Sequence, residues 1–132
     1  MNIGEAARRC GVSPDTLRHY EKRGLIAPPS RTEAGYRQYT AETIARVLQI
    51  RRALALGFGL RELADIFSIR RRGGAPCRKA LGILEQRLVD VEARLAELAA
   101  LRKLMKTTVS DWRQRVDAAS PSTPVMLLET LG

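Results

Sequence analysis

The sequence predicts a mainly α-helical protein, a winged helix-turn-helix followed by one long helix. Three observations predict this fold class. Two short helix patterns separated by a Gly-Val-Ser turn open the chain, a Pro-Pro stretch with a hairpin-type turn follows, and a long apolar repeat comes after them. These patterns divide the 132 residues into a DNA-binding domain at 1–75, a dimerisation helix at 76–116 and a C-terminal tail at 117–132.

The first two helices are predicted from their end signals. Asn2 is a favoured cap for a helix over residues 3–10, and Gly11 tolerates the left-handed conformation that ends a helix. Ser13 caps a second helix, which stops at Gly24. Two short helices joined in this way are typical of a helix-turn-helix, whose second helix enters a DNA major groove.

Residues 25–40 have a different character. Pro28 and Pro29 exclude a helix, and the Glu-Ala-Gly stretch at 33–35 predicts the turn of a small hairpin. A hairpin beside a helix-turn-helix is a wing, which lays Arg and Tyr side chains along the DNA backbone. The sequence therefore predicts a second DNA-contacting element here.

Two further helices complete the predicted first domain. Thr40 begins a helix that continues to about Leu56, with its core side at Ile44, Val47, Leu48, Ile50 and Leu54. A fourth helix over residues 60–71 presents Leu60, Leu63, Ile66, Phe67 and Ile69.

The long helix carries an apolar seam. Its steps alternate between three and four residues, interrupted at Arg102, and its members are Leu81, Leu84, Leu88, Val91, Leu95, Leu98, Met105, Val109, Trp112 and Val116. A helix of this length spans about 60 Å, too long for the rest of the chain to cover. The seam therefore predicts pairing with a second copy of the chain.

The last segment is rich in Ser and Pro and then apolar. We expect a loop or short turn that docks the four side chains Val125, Met126, Leu127 and Leu128. In functional terms, we interpret this tail as a candidate effector-region loop.

The net charge is +9 and is unevenly distributed. Residues 1–76 hold 14 Lys and Arg against 7 Asp and Glu, whereas residues 77–132 hold 9 against 7. A basic block on one part of a small protein favours a polyanionic partner, nucleic acid above all. General solubility explains the sign of the charge but not its asymmetry.

Several function classes find no support in the sequence. Two cysteines are too few for a disulfide scaffold, and no stretch predicts a secretory signal or a membrane span, so we expect a cytoplasmic protein without a membrane partner. One histidine, no Gly-rich phosphate loop and no paired acidic motif leave no catalytic residues to assign. The sequence predicts a non-enzyme.

By its motifs the sequence resembles the MerR family of bacterial transcription regulators, and the resemblance covers nearly the whole chain. The stretch LALGFGLRELADIF at 54–67 also follows the family's pattern, and the matching single residues are Ala7, Gly11, Val12, Ser13, Thr16, Leu17, Arg18, Tyr20, Glu21, Gly24, Leu25, Gly35, Tyr36, Arg37 and Tyr39.

The resemblance implies a homodimer that binds a pseudo-palindromic promoter, pairs its long helices antiparallel, cooperates with RNA polymerase and distorts the DNA when an effector binds. On this sequence the implied DNA contacts fall on the second helix at Ser13, Thr16, Arg18, His19, Tyr20 and Lys22, and on the wing at Arg31, Tyr36 and Arg37. Arg suits bidentate contacts to phosphate or guanine, and a Tyr hydroxyl suits phosphate. We expect Leu17 in the core and Glu21 in a structural ion pair.

Cys77 is the candidate effector-sensing residue. It follows Pro76 at the start of the long helix, where the helix dipole and neighbouring basic residues favour a thiolate. In metal-sensing relatives a cysteine at this position is a ligand, but residues 106–132 contain no further Cys or His. The cofactor is therefore unknown, no metal residues are assigned, and three interpretations stay open: an inert residue, a redox or electrophile sensor, and part of a metal site.

Two alternatives to an effector-responsive regulator remain at this stage. The missing C-terminal ligands favour a DNA-binding repressor or architectural protein that needs no effector. A coiled-coil adaptor with a basic head would bind DNA weakly and without regard to sequence.

Overall fold

The computed structural model describes residues 1–132, and it is mainly helical as predicted. Its elements are α1 at Ile3–Cys10, α2 at Pro14–Lys22, β1 at Ser30–Arg31, β2 at Arg37–Gln38, α3 at Ala41–Ala55, α4 at Leu60–Arg71, α5 at Cys77–Ala118 and a short 3₁₀ helix at Leu128–Leu131. The chain forms two compact units, Met1–Arg87 and Leu88–Gly132. The division at residues 75 and 116 stays a prediction.

Helix α1 begins and ends where its sequence signals predict. The Asn2 side chain accepts a hydrogen bond from the Glu5 N–H at 2.9 Å, and Gly11 follows with φ 69°. A Cβ at position 11 would lie 2.7 Å from Nη1 of Arg51, which donates a hydrogen bond to the Cys10 carbonyl at 2.7 Å. The left-handed conformation therefore favours glycine at position 11, and a Cβ there would also displace the tip of the Arg51 side chain.

The wing is the antiparallel hairpin of β1 and β2, residues 30–38, with Ser30 opposite Gln38 and Arg31 opposite Arg37. Its turn is closed by hydrogen bonds from the Thr32 N–H to the Tyr36 carbonyl and from the Gly35 N–H to the Thr32 carbonyl, each 2.8 Å. Gly35 has φ 86°. The hairpin turn predicted at residues 33–35 is confirmed.

The core of the first unit joins the helix-turn-helix to α3 and α4. Its buried side chains are Ala6, Ala7, Cys10, Leu17, Tyr20, Leu25, Ile26, Tyr39, Val47, Ile50 and Leu63. Ile44, Leu54, Leu60 and Phe67 pack against this cluster, as the helical periodicity predicts. The core thus fixes the orientation of α2 relative to the base of the wing.

Arg87 joins the first turns of α5 to the end of α3 and the start of α4. Its Nη2 lies 2.7 Å from Oε1 of Glu62, and its Nε donates to the Gly57 carbonyl at 3.1 Å. The same Glu62 oxygen accepts the Gly59 N–H at 2.8 Å, which caps α4. One guanidinium therefore connects three helices of the first unit.

Helix α5 has no buried residue. Most of the predicted seam is exposed, including Leu88 at 57%, Leu95 at 60% and Leu98 at 61%. Three further apolar side chains that the seam prediction did not include are also exposed, namely Val89, Leu101 and Leu104. An apolar face of this length, left uncovered by its own chain, is typical of a helix that pairs with another.

The tail forms the predicted short turn, but only half of it docks. Val125 and Leu127 are half-buried, and Nε1 of Trp112 donates to the Thr130 hydroxyl at 3.2 Å. Met126 and Leu128 remain 66% and 70% exposed, so their predicted docking is wrong. Exposure alternates along residues 125–128, in the segment that leads into the 3₁₀ helix. In addition, no helix in the chain combines the length and apolar character that crossing a bilayer needs.

Candidate nucleic-acid interface

Helix α2 has a well-ordered start that presents polar groups. Ser13 caps it, with Oγ accepting the Thr16 N–H at 3.1 Å, and the two hydroxyls lie 2.9 Å apart. Pro14 occupies the first helical position, where its lack of an N–H costs nothing. The cap uses one of the free N–H groups at this helix end and leaves the hydroxyls at the surface.

The two faces of α2 are sharply different. Leu17 is fully buried and Tyr20 is 5% exposed, whereas Arg18, His19 and Lys22 are exposed. The structure therefore places Leu17 in the core, as predicted, and places the Tyr20 ring there too. The exposed side chains along the middle and end of α2 are therefore basic, while the acidic Asp15 lies at its start.

Arg18 is held near the start of α2 by a surface ion pair. Its Nη1 lies 2.8 Å from Oδ1 of Asp15, and the two side chains are 55% and 93% exposed. An ion pair this exposed contributes little to stability. Arg18 can therefore exchange Asp15 for a phosphate or a base at small cost.

The wing presents an aromatic side chain and two arginines. Tyr36, at the turn, is 73% exposed. Arg31 donates from Nη1 to the Gly35 carbonyl at 3.0 Å, which supports the turn, and Arg37 lies opposite it on β2. All three predicted wing residues lie on one small hairpin.

Glu21 joins the wing to α2. Its Oε2 lies 3.1 Å from Nη1 of Arg37, and the Glu21 side chain is only 17% exposed. The Tyr39 hydroxyl, and after it the Glu21 carboxylate, raises the pKa of Arg37. The ion pair predicted for Glu21 is confirmed, and its partner is a predicted DNA-contacting residue.

The two cysteines lie in opposite environments. Cys77 is exposed at the first residue of α5, whereas Cys10 is 1% exposed in the core. Burial raises the pKa of the Cys10 thiol, and the nearby Arg51 charge opposes that effect. No group of three or more His, Cys, Asp or Glu side chains is placed to hold a metal ion. The residues of one chain therefore do not fit a metal site at Cys77.

Several positioning residues escaped the sequence reasoning. Arg51, Arg71 and Arg87 each donate to a backbone carbonyl far away along the chain, those of Cys10, Gly24 and Gly57 respectively. Arg46 stacks on Phe67, with Cζ 4.3 Å from the ring centroid. Arginines that cap distant carbonyls have no local sequence pattern, so no signal marked them.

The sequence matches two families along the segments that build this interface. Residues 1–68 match the family described as "MerR HTH family regulatory protein", and residues 44–108 match the one described as "MerR, DNA binding". The first match alone covers more than half of the chain. The chain belongs to the MerR family.

Individual members of the MerR family are similar over most of their length. The HTH-type transcriptional regulator ZntR of Escherichia coli K12 is 40% identical over 105 residues, 79% of this chain and 74% of that protein. The mercuric resistance operon regulatory protein of Bacillus cereus is 35% identical over 105 residues, 80% of each chain. The solved structure of the transcription regulator PbrR691 from Ralstonia metallidurans CH34, in complex with lead(II), has a TM-score of 0.73 at 28% identity and covers 100% of this chain and 99% of its own.

Membership of the MerR family confirms the predicted fold class and the predicted functional class. The chain is a DNA-binding transcriptional regulator, like the relatives that it matches, and not an enzyme. MerR-family regulators bind promoter DNA as dimers. Promoter DNA and a second copy of the chain are both partners that the sequence predicts.

Proposed function

We propose that this regulator grips two adjacent major grooves of a pseudo-palindromic promoter, with one α2 and one wing from each protomer. The observation that carries the proposal is the ion pair between Arg37 and Glu21, at 3.1 Å, because it joins α2 to the wing, the two elements that present the exposed basic side chains. The proposal includes a cytoplasmic location, with promoter DNA and RNA polymerase as partners.

The exposed side chains divide into two kinds of contact. On α2, Arg18, His19 and Lys22 are exposed and suit base edges and nearby phosphates, while Ser13 and Thr16 offer hydroxyls to a phosphate at the helix start. On the wing, Arg31, Tyr36 and Arg37 suit the flanking backbone. Tyr20 acts through packing, because its ring is buried.

The proposed dimer forms along α5. Exposed apolar side chains continue from Leu81 at 58% to Val116 at 49%, and Leu101 shares a groove with Leu98, Met105 and Val109. Burying such a face contributes roughly 25 cal/mol for each Å² of apolar surface. A second α5, antiparallel as the family resemblance implies, would bury both faces at once.

The proposed regulatory step is a change in DNA shape. The two DNA-binding units, held at a fixed separation, leave the central base pairs of the promoter without contacts. Those base pairs can therefore bend or untwist, at a deformation cost on the order of a few kcal/mol. An effector shifts the balance by binding one dimer geometry more tightly than the other.

Cys77 is the proposed sensing position. It is the exposed thiol of the chain, at the first residue of α5. The likeness to a lead(II)-bound regulator favours a soft metal, but such a metal generally needs two or more N or S ligands. Any further donors must come from outside this chain, since Cys10 is buried and residues 106–132 hold no Cys or His. Oxidation or alkylation of Cys77 requires no such ligands.

An effector-independent repressor or architectural protein is the second candidate. It is favoured by the same observation, that one chain lacks a complete metal site. The two candidates differ in one measurable respect. An effector-responsive regulator changes the conformation of its promoter DNA when a soft metal or a thiol oxidant is added, and an effector-independent one does not.

A salt series tests the DNA contacts directly. Operator affinity is measured at several salt concentrations for the wild type, for Arg18→Ala, for Arg37→Ala and for the control Lys103→Ala, an exposed cation on α5. Loss of one phosphate contact lowers the log–log slope by about one unit. The two arginine variants should lose affinity and the control should not. Equal behaviour of all three variants would contradict the proposed interface.

A further inference from the structure

A groove of about 820 Å³ opens in the first unit, between the base of the wing and helices α2, α3 and α4. Its lining combines apolar side chains with arginines, among them Ile26, Pro29, Phe67, Arg46, Arg70 and Arg71. The volume lies within the range of small-molecule sites, which pair apolar walls with a few convergent polar groups. Neither the helix-turn-helix nor the dimer seam accounts for it.

Two of these arginines share one aromatic ring. Cζ of Arg46 lies 4.3 Å and Cζ of Arg70 lies 6.0 Å from the centroid of Phe67. Stacking uses the face of a guanidinium and leaves its N–H edge free to donate hydrogen bonds. None of the six ion pairs of the chain includes Arg46 or Arg70. Two oriented donors from neighbouring helices therefore lack an acidic partner.

The carboxylates of the groove do not neutralise this pair. Glu21 binds Arg37 at 3.1 Å. Glu42 lies four residues before Arg46 on α3, a spacing that supports an ion pair, yet Arg46 stacks on Phe67 instead. Arg71 uses Nη1 to bind the Gly24 carbonyl at 2.7 Å. A carbonyl does not neutralise a guanidinium, so the groove holds three arginines without an acidic partner, and two of them, Arg46 and Arg70, share the Phe67 ring.

We propose that this groove binds an organic oxyanion, a carboxylate or phosphate group on a ring-sized apolar body. Two guanidinium edges suit the two oxygens of such a group, and the apolar lining suits its body. The proposal rests on the proposed function, since it adds an effector site to the DNA-binding unit. Ser30 and Gln38, which form the base of the wing, line the same groove. A ligand bound in the groove would therefore change the affinity of the protein for its operator.

Calorimetry of the full chain tests the site with four probes: benzoate, phenyl phosphate, inorganic phosphate and the cation benzamidine. We expect saturable binding of benzoate or phenyl phosphate at one site per chain, at least tenfold weaker binding of inorganic phosphate, and no binding of benzamidine. The stronger of the two aryl probes identifies the oxyanion as carboxylate or phosphate.

Three variants locate the binding. Arg46→Gln and Arg70→Gln should each weaken it at least tenfold, whereas Arg61→Gln, an exposed arginine of α4 outside the groove lining, should leave it unchanged. Circular dichroism melts establish that all three variants fold. Absence of saturable binding, or equal affinity in all variants, would overturn the site.

Operator titration without any added anion keeps this test separate from the proposed function. If the wild type binds its operator but none of the aryl probes, only the oxyanion site fails. If Arg46→Gln also lowers the salt slope of operator binding while the probes stay unbound, the pair contacts DNA phosphate and the effector site is overturned. If the probes bind but no operator is recognised, the proposed function fails and the site stands.

Discussion

Nη1 of Arg37, on the second strand of the wing, lies 3.1 Å from Oε2 of Glu21, on helix α2. The two residues are 16 positions apart, and the Glu21 side chain is largely buried. A carboxylate that orients an arginine limits the directions in which that arginine can donate. This ion pair therefore links the wing to α2 in one geometry in the absence of DNA.

We therefore expect Glu21→Gln to weaken binding to the specific operator about threefold to tenfold. The substitution removes a negative charge, so on general electrostatic grounds alone it would strengthen binding to any DNA. A fall in specific affinity together with an equal or higher affinity for random duplex would show that Glu21 acts by positioning Arg37. Fluorescence anisotropy with both duplexes gives the two values.

Glu33→Gln is the matched control for that experiment. Glu33 is exposed at the turn of the wing and forms no ion pair, so its substitution changes the net charge by the same amount. It should strengthen binding to both duplexes slightly. If Glu21→Gln and Glu33→Gln behave alike, the ion pair has no positioning role.

Leu95→Lys tests the dimer seam. Leu95 lies in the middle of the exposed apolar face of α5 and is 60% exposed in the single chain. A lysine there would have to be desolvated between two helices, so we expect a shift toward monomer in sedimentation and a loss of operator affinity. Ala93→Lys adds the same charge on the opposite face of α5 and should leave the dimer intact. A dimer that survives Leu95→Lys would show that the seam is misplaced.

Local signals in the sequence were sufficient for the elements that carry the candidate site. The helix caps lie where the pattern predicts them, at Asn2, Ser13 and Thr40. The same is true of Gly11, which ends α1, and of Gly35 in the turn of the wing. These signals are reliable because each depends on a few adjacent residues and on one backbone conformation.

Contacts between residues distant along the chain could not be predicted. Tyr20 shares its helix with exposed basic residues, yet it is buried in one cluster with Leu25, Ile26 and Tyr39, which lie outside α2. The same holds for the tail, where Met126 and Leu128 are exposed although their neighbours Val125 and Leu127 are half-buried. Composition marks these side chains as apolar, whereas their burial depends on the tertiary fold.

Arg87→Ala tests the connection between α5 and the helices before it. The variant loses the ion pair to Glu62 and the hydrogen bond to the Gly57 carbonyl, which leaves that carbonyl and the α4 cap less well satisfied. We expect a loss of about 1–2 kcal/mol of unfolding free energy in a denaturant titration. Arg61→Ala, which removes an exposed arginine of α4 without an ion pair, should change stability by less than about 0.5 kcal/mol. Equal stabilities of the two variants would contradict the bridging role of Arg87.

The contrast between the two thiols predicts how many of them react in the native protein. Cys77 is exposed, whereas Cys10 is buried, and that burial raises the pKa of its thiol. Because thiolates react and buried thiols are shielded, a disulfide reagent at pH 7–8 should modify one thiol per native chain rapidly and the second only on unfolding. Cys77→Ser should abolish the rapid reaction and leave operator affinity within about twofold of wild type. Two thiols reacting at the same rate in the native protein would contradict the burial of Cys10. An unchanged response of Cys77→Ser to every metal and oxidant that acts on the wild type would remove Cys77 from the proposed sensing step.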